Sequence, residues 1–139
     1  VVAGSLAELE RAFVQRRARI YAAMAELIGY RQCAPWSGDE GFMMLSELAG
    51  LTMRGVLSRA LSDPDWLDRR TGLTLFGTSR PAPWSQPEIA MMTVLLTHLE
   101  PDPAVEWTPQ HIAATEERFA AMAAEISDAG TADSPAPSR

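Results

Sequence analysis

The four residues Ala-Pro-Trp-Ser occur twice, at 34–37 and 82–85, and the likeness around them runs well beyond the word itself. At the same separation, forty-eight positions, Leu27 falls on Leu75, Gly29 on Gly77, Glu40 on Glu88, Met43 and Met44 on Met91 and Met92, Leu48 on Leu96, and Leu51 on Leu99. A period of this length marks a repeated supersecondary unit, and two copies are too few for a solenoid, which needs about three. The expectation is an all-α fold: a single helical bundle of about five helices with an internal duplication at 27–51 and 75–99.

The repeated word has a physical task. Ser37 is followed three residues later by Glu40, and Ser85 by Glu88. That spacing is a capping box, in which the Ser oxygen accepts from a first-turn N–H while the Glu reaches back to the cap's own N–H. Each copy is therefore predicted to open a helix, with Pro holding the approaching chain extended. A Trp ahead of the cap can staple onto the fourth helical residue, which is Ile89 in the second copy and Gly41, a residue with no side chain to staple, in the first. Trp107 repeats the arrangement ahead of Thr108, with Pro109 at the first helical position and Ile112 as the staple partner.

Five helices follow from periodicity and punctuation. The first runs from a cap at Ser5 to Gly29, with Leu6, Leu9, Phe13, Ile20, Met24 and Leu27 along one face. The second starts at Ser37 and reaches Gly50 or Leu61, depending on whether Gly50 breaks it. A short helix opened by Asp63-Pro64 precedes a loop, 71–83, with a brief extended piece at 73–76. The fourth spans 86–99 and stops at Pro101 and Pro103. The fifth spans 109–128, buries Ile112, Phe119, Met122 and Ile126, and ends before Gly130. Residues 1–130 then form one domain and 131–139, small, polar and Pro-containing, a disordered tail.

At 139 residues and 47% hydrophobic, the chain is long enough to bury about two-thirds of its unfolded surface in a single core. One Cys excludes an intrachain disulfide. Glu8, Glu10 and Arg11 interrupt the start in a way a signal peptide does not tolerate, and the apolar stretch 89–99 is too short for a bilayer, which needs about twenty residues. A cytoplasmic protein with no membrane role is expected. Net charge is −6, unevenly spread: residues 1–80 carry ten Arg against nine acids, and 81–139 two Arg against nine. Lys and Asn are both absent, as a GC-rich coding sequence would give, so the Arg content does not by itself argue for phosphate recognition.

Catalytic signatures are thin. Cys33 needs a base or cation beside it to act as a thiolate, and the sequence places neither His98 nor His111 there. Those two His with Glu106, Glu116 or Glu117 lack the spacing that puts two metal ligands on one helical face. No Gly-rich phosphate loop is present. The reading is therefore non-enzymatic, with no catalytic, cofactor or metal site.

One segment invites a sharper alternative. The stretch from Leu45 to Leu61, LSELAGLTMRGVLSRAL, resembles the helix-turn-helix of bacterial DNA-binding regulators, with Gly50 at the turn, Leu51 after it and Val56 beyond. The resemblance implies that the second helix enters the major groove, with Thr52, Arg54, Ser58 and Arg59 facing nucleic acid and the two Arg able to reach phosphate or guanine. The main expectation is a helical module for protein–protein interaction or self-association, its partner another protein or a second copy. Opposite charge on the Arg-bearing first helix and the acidic last one, with Glu116, Glu117, Glu125 and Asp128, favours self-association. Its apolar contact would come from Leu6, Leu9, Phe13 and Ile20.

Overall fold

A computed structural model describes residues 2–132, and the side chains of residues 4–124. Four α-helices dominate: α1 (Val2–Leu27), α2 (Gly38–Ser62), α3 (Gln86–Leu96) and α4 (Pro109–Ala132). The expected short third helix is a 3₁₀ turn, Pro64–Asp68, so the described residues hold four α-helices where five were expected. The fold is also not purely helical. Strand β1 (Tyr30–Gln32) pairs antiparallel with β4 (Leu99–Pro101), and β2 (Thr71–Leu73) with β3 (Ala82–Trp84). Three-residue strands carry too little alternation to register as a period of two, which is why the sequence shows only a brief extended piece at 73–76, overlapping β2 at Leu73 alone, and not these pairs.

The β1–β4 pair organises the molecule. Strand β1 joins α1 to α2 and β4 joins α3 to α4, so two helix–strand–helix units are tied at their waists, Tyr30 opposite Pro101 and Gln32 opposite Leu99. The core lies against that junction, around Ala25, Leu45 and Leu99, with Tyr21, Tyr30, Phe42, Val94 and Leu95 packed on it. Two residues past the end of α1, Gly29 takes a φ of +64° and its N–H donates to the Glu26 carbonyl, the usual left-handed glycine stop.

The duplication survives in part. Gly29 and its counterpart Gly77 both take positive φ, and Ser37 and Ser85 both stand extended immediately ahead of a helix. Ser85 forms the whole capping box: its Oγ accepts from Glu88 N–H at 3.3 Å, and its own N–H donates to the Glu88 carboxylate at 2.7 Å. Ser37 makes no side-chain cap bond. The next residue, Gly38, has φ +60°, so the chain turns away just where the Ser oxygen would have to align with the first helical N–H groups. The flanking word differs too, a turn in the first copy and strand β3 in the second.

Several boundaries move. Ser5 lies inside α1, not at its cap. Helix α3 stops at Leu96, because Thr97 and His98 lead directly into β4. Helix α4, capped at Thr108 by a 3.1 Å bond from His111 N–H, continues through Gly130 to Ala132. The first two residues of the expected tail are thus helical; the rest of it, and the Ile126, Glu125 and Asp128 side chains, lie outside the described residues. Ile112 and Phe119, expected as core, are each about two-fifths exposed.

Candidate interaction surface

Helices α1 and α2, joined by a short connection, run antiparallel: Ser46 Oγ donates to the Val14 carbonyl at 3.0 Å and Glu10 meets Arg54 at 3.3 Å. Among the described residues, every buried one of α1 lies at or beyond Val14, and every buried one of α2 at or before Gly50. The amino half of α1 and the carboxyl half of α2 therefore extend together past the core. On them stand Leu6, Leu9 and Phe13, and Leu51, Met53, Leu57 and Leu61, all exposed.

The spacing of Leu6, Leu9, Phe13 and Ile20 is that of a coiled-coil seam, two positions per heptad, broken by Arg16. Its two ends fare differently. Ile20 and Met24 are half-buried and Leu27 is buried, whereas Phe13, Leu9 and Leu6 are 59, 67 and 62% exposed. Toward the carboxyl end α4 supplies cover, its Ala121 and Met122 facing Ala23 and Leu27 across a shallow cleft, while Trp107 lies against Gly29. The Arg17 guanidinium sits over the Phe13 ring, 4.6 Å from its centroid. A cation held over an aromatic face leaves the outer side of that ring open to a partner.

Thr52, Arg54, Ser58 and Arg59, the residues of the helix-turn-helix alternative, all stand on α2. Helix α2 passes through Gly50 without a break, so Leu45–Leu61 is one helix and not two separated by a turn. Gly50 is present for packing: a Cβ there would come within 2.6 Å of the Arg17 guanidinium, and that close approach of α1 outweighs the roughly 1 kcal/mol that glycine costs a helix. Thr52 bonds back to the Leu48 carbonyl, Arg54 pairs with Glu10, Arg59 with Asp63, and the Ser58 carbonyl accepts from Ser62.

The structure does bring a histidine to Cys33, which the sequence could not place. Cys33 N–H donates to the His98 carbonyl at 2.9 Å, and its Sγ lies 3.5 Å from the Thr97 carbonyl. Trp36 stacks on the His98 ring at 4.4 Å, and its indole N–H also donates to Thr97. His98 is only 2% exposed, with Nδ1 within 3.1 Å of the Val94 carbonyl. Here the thiol is a weak donor to a carbonyl, and the contacts staple β1 to the end of α3. Among the described residues no group of three or more His, Cys, Asp or Glu is placed to hold a metal, and no helix is long and apolar enough to cross a membrane. Trp66 and Trp84 are likewise anchors, their indoles bonded to Gln86 and to the Leu73 carbonyl.

Comparison of the chain with protein-family models, with curated proteins and with solved structures finds no match.

Proposed function

We propose that this chain is a non-enzymatic helical module that associates with itself through the open face of α1. The observation that carries the reading is a mismatch between surface and core. Among the described residues, thirteen large hydrophobic side chains are exposed where seven apolar residues are buried, and a soluble monomer rarely shows large contiguous apolar patches. Obligate dimers bury about 2,000–5,000 Å² in total and resemble a core cut in half, so one such contact would restore an ordinary ratio of surface to core. The exposed ion pairs, such as Arg54–Glu10 and Arg31–Glu100, lie within the chain and contribute little, which leaves apolar contact as the driving force. Sedimentation velocity across micromolar concentrations tests this directly. A dimer that dissociates on dilution is the expected result, and a single monomeric species throughout that range would refute it.

A further inference from the structure

An apolar cavity of about 160 Å³ opens where α1 and α3 meet the β1–β4 pair. Ala25 and Leu99, both buried, form part of its wall, and the half-buried Tyr21, Met24, Tyr30 and Met92 form much of the rest. That half-buried rim leaves a route to solvent. No charged residue lines the cavity, and burial raises the Tyr21 phenol above its ordinary value against the opposing pull of the Arg17 charge, so this hydroxyl stays neutral through the physiological range. Apolar cavities stay dry, and one of about 150 Å³ takes up benzene. An entering guest therefore has little ordered water to displace and no charge to pair with.

We propose that this cavity binds one small neutral aromatic molecule, a single benzene-sized ring with at most a short apolar substituent. Volume limits the guest to about one ring. The uncharged wall excludes an ionic guest, which would lose its hydration and find no counter-charge in return. The kind of apolar surface then selects aromatic over aliphatic: Tyr21 and Tyr30 supply rings, and Met24 and Met92 supply thioether sulfurs. Ring–ring and sulfur–ring contacts are favourable beyond the area they bury, so an aromatic guest outcompetes an aliphatic one of similar size. The two unbranched Met side chains can also reshape around it. A guest held between α1 and α3 binds the folded chain and not the unfolded one, and so stabilises it by mass action. None of this depends on self-association, since Leu6, Leu9 and Phe13 lie outside the cavity wall.

Benzene titrated into the full chain, with its methionine methyl groups isotopically labelled, reads the site directly by NMR. The Met24 and Met92 methyl signals should shift saturably while that of Met53, outside the cavity on α2, holds still. The melting temperature should rise by a few degrees at saturation. Benzoate and benzylammonium should bind about tenfold more weakly or worse, and cyclohexane several-fold more weakly. Ala25→Ile and, separately, Leu96→Phe add carbons to the wall, and each should abolish the saturable shift while circular dichroism shows helix content retained. The comparison of guests needs only the parent chain, so a variant that fails to fold leaves the test standing. No saturable shift up to the solubility limit of benzene overturns the proposal, as do shifts spread evenly over all the methionines or binding that survives filling of the cavity. Equal affinity for cyclohexane or for benzoate overturns the ligand class.

Discussion

Gly29 and Glu88 each hold a chain end by geometry that can be tested singly. A Cβ on Gly29 would lie 2.9 Å from both the Trp107 ring and Val105, at a backbone φ of +64°. The left-handed conformation alone costs an L-residue about 1–2 kcal/mol, so chemical denaturation of Gly29→Ala should show a loss at least that large. Glu88 is held down to about 2, first by the Ser85 N–H and then by Arg70 and the Ser85 hydroxyl. Its folded value lies below its unfolded one, so its contribution is complete above about pH 4.5 and fades as pH falls toward about 2. Glu88→Gln retains a reach-back group without the titration, and its melting temperature should fall less steeply than the parent's between those limits. The Ser85–Glu88 box was legible because all its parts lie within one turn. The Trp36–His98–Cys33 cluster was not, because strand pairing brings together residues more than sixty positions apart.

Among the elements, the two copies of the repeated word start helices by different means, and their energetics should differ accordingly. Ser85→Ala removes a formed cap and should cost about 1 kcal/mol. Ser37→Ala removes no cap bond and should cost no more than a few tenths. Thermal or denaturant unfolding of the pair checks this, and equal losses would mean that Ser37 caps after all. Helix existence was readable from apolar periodicity, since α1, α2, α3 and α4 all fall where that pattern places them. Helix ends were not, and the reason is tertiary. Gly50, a breaker by propensity, is carried through α2 by the packing of Arg17, while β4 cuts α3 short despite the apolar run to Leu99.

At the scale of the whole molecule, the apolar stripe of α1 could be read from the sequence residue by residue, but whether it faces inward or outward could not, since periodicity is the same in either case. The fold divides it. From Ile20 onward the stripe meets its own chain, and from Phe13 back it meets solvent. A net charge of −6 opposes association of like chains, so added salt should tighten the dimer, as expected of an apolar contact between like-charged chains and opposite to one held by ion pairs. Light scattering of Phe13→Glu beside the parent, with circular dichroism to follow helix content, tests the central claim most directly. The account predicts a dimeric parent and a monomeric variant of unchanged helicity and near-parental stability. A parent already monomeric, with Phe13→Glu merely less stable, would contradict it and assign this face to folding.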